Sequence, residues 1–309
     1  MVKLRRALRG LGTERALAAY RLSKARDALA KFPAGDPESA LAAARAKTLI
    51  FTVTAGRSGT TYLTRLMALF ARVRAVHEEA PGFECVLRPA QKRPELARAF
   101  WLDHKLPAIA RHPEPIYLET SNVTCKGFLE PLLELGLTPR LILLNRAPRA
   151  VALSYLGRNT VPGRSDLGIR YMLHPGDPGV LPLPGWRRLS DYQLCFWSAL
   201  DIERRQVAYR KQILDAGGTA VETSAQALGQ FENLLELAHA LDLVEPAQDL
   251  GLLAQQHAEI SRRSHNPNPK RNVPPDGIAR QEQEVWQRIA AAAPKLEASV
   301  AAKYPAGAL

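Results

Sequence analysis

Cysteine is scarce in this chain: 309 residues include three, at positions 85, 125 and 195. Their wide separation matches no zinc or redox spacing and three thiols cannot all pair, so a disulfide scaffold is excluded and a reducing compartment is expected. Long apolar runs are missing as well. Nothing approaches the roughly 18 uninterrupted residues of a membrane span, and the first thirty residues lack the apolar core of a secretory signal. The expectation is therefore a cytoplasmic protein. Internal repeats and low-complexity tracts are absent, and 46% apolar with 23% charged residues is ordinary globular usage. Disorder, collagen and coiled coil are thereby excluded as descriptions of the whole chain.

Acidic residues are also in deficit. Forty-two Lys and Arg against 30 Asp and Glu leave a net charge of +12, which favours anionic partners. The excess is uneven: residues 1–31 hold nine Lys or Arg against Glu14 and Asp27, or +7 of the total. That segment places Leu4, Leu8 and Leu11, then Ala18, Leu22, Ala25 and Leu29, at helical spacing, with basic residues mostly on the other faces. Docking on the main domain or on a second subunit, peripheral membrane contact and organellar targeting compete as its use. Docking is favoured, because Ala-heavy faces anchor weakly in lipid. Pro33, Gly35 and Pro37 then break the helix, so residues 1–46 form a basic helical extension and 47–309 the main domain.

From residue 48 short apolar strands alternate with helical stretches, the pattern of βαβ units and a parallel sheet. Strands are expected at Thr48–Thr54, Arg74–His77, Pro115–Glu119, Arg140–Asn145 and Gly218–Glu222. Helices are expected at about 60–72, 94–111, 126–135, 148–158, 189–216 and 227–241, with an Ala-rich one from about 278. The fold class is α/β: a P-loop-like three-layer domain on a central parallel sheet of about five strands, with N- and C-terminal helical extensions. Residues 159–188, rich in Pro and Gly, form an irregular excursion whose length signals a lid or substrate loop, or else a tolerated surface insertion.

The first strand runs into Ala55-Gly56-Arg57-Ser58-Gly59-Thr60-Thr61 and then into a helix. A Gly-containing turn at that place aims several backbone N–H groups at one point, where the helix dipole also favours an anion. Gly56 and Gly59 permit close approach; Ser58, Thr60 and Thr61 add hydroxyls; Arg57 adds a planar fork for oxyanions. The loop is two residues shorter than the ATP-binding GxxxxGK[ST] pattern and has no Lys before its Thr. The strand 140–145 ends in Asn-Arg, without the metal-holding Asp of ATPases. A second strand-to-helix unit carries Arg146, Pro148 and Ser154, and Arg146 with Ser154 suits a second phosphate.

These two units resemble sulfotransferases that use 3′-phosphoadenosine 5′-phosphosulfate (PAPS), particularly the bacterial and carbohydrate-acting branch. Residues 55–63 are similar to that family's 5′-phosphosulfate loop, with Arg57 where other branches carry Lys. Arg146, Pro148 and Ser154 match its 3′-phosphate element. The likeness extends through Glu119–Asn122, the stretch around Trp197 and Ala220–Thr223, covering roughly residues 48–245. It implies sulfuryl transfer from PAPS to a hydroxyl or amine of a small-molecule, glycan or lipid acceptor, with no metal and no nucleic-acid partner. The segment His77-Glu78-Glu79 is similar to a His-Glu-Pro segment of related enzymes, which implies Glu78 as acceptor base, with His77 second and Glu79 third. Glu119 and Asn122 would touch the acceptor or brace the loop, and Lys270 and Arg271 would reach the 3′-phosphate or form a solvated basic loop. Two rival functions remain open: a P-loop nucleotide-dependent kinase, and a non-catalytic anion-binding protein on the same fold.

Overall fold

The computed structural model describes residues 34–263 and 275–295, with residues 27, 29–32 and 300 beside them. Most of the basic N-terminal segment, together with Lys270 and Arg271, lies outside the described residues. Five strands, β1 (Thr48–Val53), β2 (Val73–His77), β3 (Ile116–Thr120), β4 (Arg140–Asn145) and β5 (Ala220–Ser224), form one parallel sheet in the order β2-β3-β1-β4-β5. The helices are α1 (Pro37–Arg45), α2 (Thr60–Met67), α3 (Leu87–Ala90), α4 (Glu95–Phe100), α5 (Leu106–Ala110), α6 (Leu129–Glu134), α7 (Pro148–Gly157), α8 (Asp166–Tyr171), α9 (Asp191–Asp215), α10 (Phe231–Ala240), α11 (Leu250–Ser261) and α12 (Ile278–Ala292). Among the described residues no helix is long and apolar enough to cross a membrane.

The period-2 alternation of strand side chains divides the core in two. Leu49, Phe51 and Val53 of β1 face one layer, built from α1, α4 to α7, α9 and α12. Ile50 faces the other, where α2, α10 and α11 pack with Leu63, Leu66, Leu234, Leu237 and Leu253. Covering both faces is what a parallel sheet requires, and it explains strands that read as continuous apolar runs. The central helix α9 opens on a capping box: Ser190 accepts from Gln193 N while the Gln193 side chain accepts from Ser190 N.

Several boundaries differ from those the sequence suggests. Strand β5 starts at Ala220, two residues late, because Gly217 and Gly218 close α9 by donating to the Leu214 and Ile213 carbonyls. Helix α1 falls inside the expected extension, yet Ala40 and Ala44 are buried in the main core, so the packed body starts before residue 47. Asp36 caps it and Pro37 occupies its first position, so the residue read as a breaker is a helix start. Helix α11, capped by Asp249, was not anticipated at all.

The 159–188 excursion is not a loose insertion. Val161, Met172, Leu173, Leu181 and Leu183 are buried in the main core. Trp197 Nε1 donates to the Leu181 carbonyl at 2.9 Å, and Asp201 accepts from Leu181 N at 2.8 Å. Asp201 itself lies beside Arg205, Nε to Oδ2 at 2.8 Å, with both side chains nearly inaccessible. Burial pushes the Asp201 carboxyl up, but Arg205 and Arg204 outweigh it and hold the group below its ordinary value.

Candidate functional site

The loop after β1 leads into α2 on one face, whereas the helices after its neighbours β3 and β4 pack on the other. The chain thus parts to opposite faces around the carboxyl end of β1. In open α/β sheets that parting makes the crevice where ligands bind. Most of the residues singled out for chemistry sit at this edge: 56–61 after β1, His77 and Glu78 at the end of β2, Asn122 after β3, and Arg146 after β4.

Two glycines shape the cradle. Gly59, at φ +99°, is the N-cap of α2, and a Cβ there would lie 2.6 Å from the Ala225 Cβ beyond β5. Gly56, at φ +75°, would meet the Asn122 side chain at 3.1 Å and the Tyr155 hydroxyl at 3.3 Å. Both a left-handed backbone and a tight wall therefore demand glycine. No side chain caps α2, so its first amides point into the crevice with the positive end of the dipole. Ser58 is buried and donates to the Gly56 carbonyl at 3.1 Å, which assigns its hydroxyl to bracing the turn. Thr60 is buried too, and its carbonyl accepts from the Thr64 hydroxyl at 2.9 Å. Thr61 is half-buried in the first turn.

The two strand-to-helix units meet. Arg57 Nε donates to Ser154 Oγ at 3.3 Å, and the Arg146 guanidinium donates to the Arg57 carbonyl. Arg57, Arg146 and Ser154 thus form one continuous basic edge rather than two distant patches. Burial draws the Arg57 guanidinium below its ordinary value, and Arg158 and Arg146 add their repulsion. Burial acts on Arg146 the same way. Clustered cations that weaken one another in this manner are stabilised by an anion placed among them. Next to Arg146, Arg149 grips the buried Glu282 at 2.9 and 2.5 Å, and Tyr192 donates to the same carboxylate, pinning α12 across the start of α7.

The three candidates after β2 separate cleanly. Glu78 accepts from Asn122 Nδ2 at 2.8 Å, and Asn122 borders Gly56, so Glu78 joins the cradle through one side chain. His77 is exposed, with Nδ1 2.8 Å from the Thr120 carbonyl and 3.0 Å from its hydroxyl. That hydroxyl touches Thr64 of α2 at 2.6 Å. Glu79 turns into a different cluster, accepting from Tyr117 at 3.1 Å and lying 3.0 Å from His112 Nε2. Burial works against it, but His112, Lys105 and Tyr117 hold its carboxyl below the ordinary range. Glu119 does not reach the crevice: it is fully buried with Lys105 Nζ at 2.7 Å. Lys105 also donates to the Glu79 carbonyl at 2.8 Å, so this pair braces the turn that carries Glu78.

Among the described residues outside glycine, four have positive φ: Arg57, Glu78, Asn159 and Asp242. Asn and Asp adopt this region readily, whereas for Arg and Glu it costs roughly 1–2 kcal/mol. Two strained residues of the wrong type for their backbone, both at one crevice, mark a site whose geometry is held for use. Tyr155 and Ala225 border the loop glycines and the buried Lys126 holds Asn122; none of the three was anticipated. Tyr155 directly follows Ser154, and burial pushes its hydroxyl well above the ordinary value, so it stays a donor at the rim of the cradle. No family model matches this chain, and no curated protein matches it.

Proposed function

We propose that the protein is a sulfotransferase, moving a sulfuryl group from PAPS to a hydroxyl or amine of a small-molecule, glycan or lipid acceptor in the cytoplasm. The observation that carries this is the junction of the two units: Arg57 reaches Ser154 while Arg146 reaches the Arg57 backbone. A ligand with anionic groups at both units suits that edge better than the linear triphosphate of a nucleotide kinase does. The loop after β1 is P-loop-like in position, without the Lys and strand-end Asp that magnesium-dependent phosphoryl transfer uses.

The residues fit such a donor: a loop shaped by two glycines, the guanidiniums of Arg57 and Arg146 and the Ser154 hydroxyl lie along one edge. When bound, the donor supplies an activated SO₃ group attached to a phosphate leaving group. Arg57 and the amides of 57–61 hold negative charge at the leaving phosphate, a role in which loss of one donor costs about a hundred- to a thousandfold. Arg146 and Ser154 hold the other phosphate and fix register. Glu78 accepts the acceptor's proton, its carboxylate aimed by Asn122.

The test is Glu78→Gln, followed by release of 3′-phosphoadenosine 5′-phosphate (PAP) across an acceptor panel and by donor binding. Binding is expected to persist while turnover falls about a hundred- to ten-thousandfold. Unchanged turnover would remove Glu78 as the base, and absence of donor binding in the wild type would remove the function.

A further inference from the structure

Lys126 lies in the turn between β3 and α6 and is 1% exposed. A buried ammonium must be fully partnered, since an unpaired charge out of water is costly. Its Nζ donates to Asn122 Oδ1 at 2.7 Å and to the Tyr171 carbonyl at 2.6 Å. Asn122 Nδ2 donates onward to Glu78 Oε1 at 2.8 Å. Chemistry sets the direction of this chain: an ammonium only donates, so the Asn122 oxygen faces Lys126 and its NH₂ faces Glu78. The backbone at Lys126 is fixed as well, its carbonyl accepting from Gln91 Nε2 at 2.9 Å.

Burial lowers the Lys126 pKa to about 8; Cys125 and Glu78 support its charge, while Arg205 and Arg88 oppose it. These groups face it from its own turn, from the end of β2, from α9 and from α3. Tyr155 of α7 and Tyr171 of α8 also feel the Glu78 charge.

We propose that Lys126 is a positioning residue for Glu78, holding Asn122 in the one amide orientation that donates to the Glu78 carboxylate. Its catalytic meaning rests on Glu78 being the base; the contact itself does not. The Asn122 bond engages one carboxylate oxygen and leaves the second oxygen's lone pairs for the acceptor proton.

The test follows the Asn122 side-chain NH₂ by ¹⁵N NMR in the full chain, its signals assigned by Asn122→Ala, with no donor or acceptor added. In wild type one amide proton is held by Glu78 and is expected to exchange slowly. Lys126→Met is expected to shift both amide signals and to speed that exchange about tenfold, the loss of roughly one hydrogen bond. Glu78→Ala leaves Lys126 in place and is expected to move the same signals, because it removes the acceptor. Unmoved signals in Lys126→Met overturn the proposal. If Lys126→Met does not melt cooperatively, Glu78→Ala decides, and unmoved signals there overturn the contact. The measurement involves no turnover, so failure of donor binding would refute sulfuryl transfer separately.

Discussion

Replacing Gly59 by Ala tests the cradle most sharply in stability terms. The residue sits at φ +99°, where an L side chain costs roughly 1–2 kcal/mol. The added Cβ would also lie 2.6 Å from the Ala225 Cβ, an approach no real Cβ tolerates, and overpacking of that kind costs a further 1–3 kcal/mol or so. The expected destabilisation is therefore about 2–5 kcal/mol. Gly136→Ala provides the control: φ there is +72°, but nothing lies within 4 Å, so only the backbone part applies. Guanidinium unfolding of wild type and both variants at one pH measures the difference, and Gly59→Ala should also lose affinity for PAP. Equal costs for the two variants would refute the close approach of the loop to β5, and with it the shape assigned to the cradle.

Lys105→Met should cost about 3–5 kcal/mol, because it leaves the buried Glu119 without its cation and with only the Tyr117 hydroxyl as partner; adding Glu119→Gln should recover part of that in the same unfolding assay, and no recovery would contradict the pairing. The Lys126 pKa of about 8 lies below the ordinary 10.5, so the unfolded chain binds the extra proton between those values and this group's contribution rises with pH. The stability difference between wild type and Lys126→Met should therefore shift toward wild type by about 2 kcal/mol from pH 8 to 9.5, and a flat difference would contradict the lowered pKa of the buried Lys126. Glu282→Ala should free α12 from Arg149 and Tyr192, read as faster amide exchange across 278–292 with the sheet's protection unchanged.

Much of the scaffold was legible because both signals it uses are local. Apolar runs such as Leu141–Leu144, buried on both faces, announce parallel strands, and the Gly-containing turn before Thr60 announces a strand-to-helix loop. Boundaries failed where one residue serves two ends. Gly218 looked like the start of β5 but closes α9, and Pro37 looked like a breaker but begins α1. Short helices with mixed surfaces, such as α11, carry little periodic signal. At the site, the loop and Arg146 could be found from neighbours in sequence. The partition of His77, Glu78 and Glu79 could not, since it depends on Asn122, Thr120 and Tyr117 arriving from β3. Lys126 gives no sequence signal, because a single Lys in Thr-Cys-Lys-Gly is indistinguishable from a surface residue until its burial is seen.

The central claim is that Arg57, Arg146 and Ser154 grip one adenosine bisphosphate. Thermal melting with PAP, compared with magnesium-ATP, tests it directly. At about one hundred times Kd a ligand adds about 2.7 kcal/mol, which for a chain of this size is a rise of roughly 4 °C. PAP should produce that rise, magnesium-ATP should not, and Arg146→Ala should abolish it. A rise with magnesium-ATP alone, or a PAP response that survives Arg146→Ala, would contradict the account.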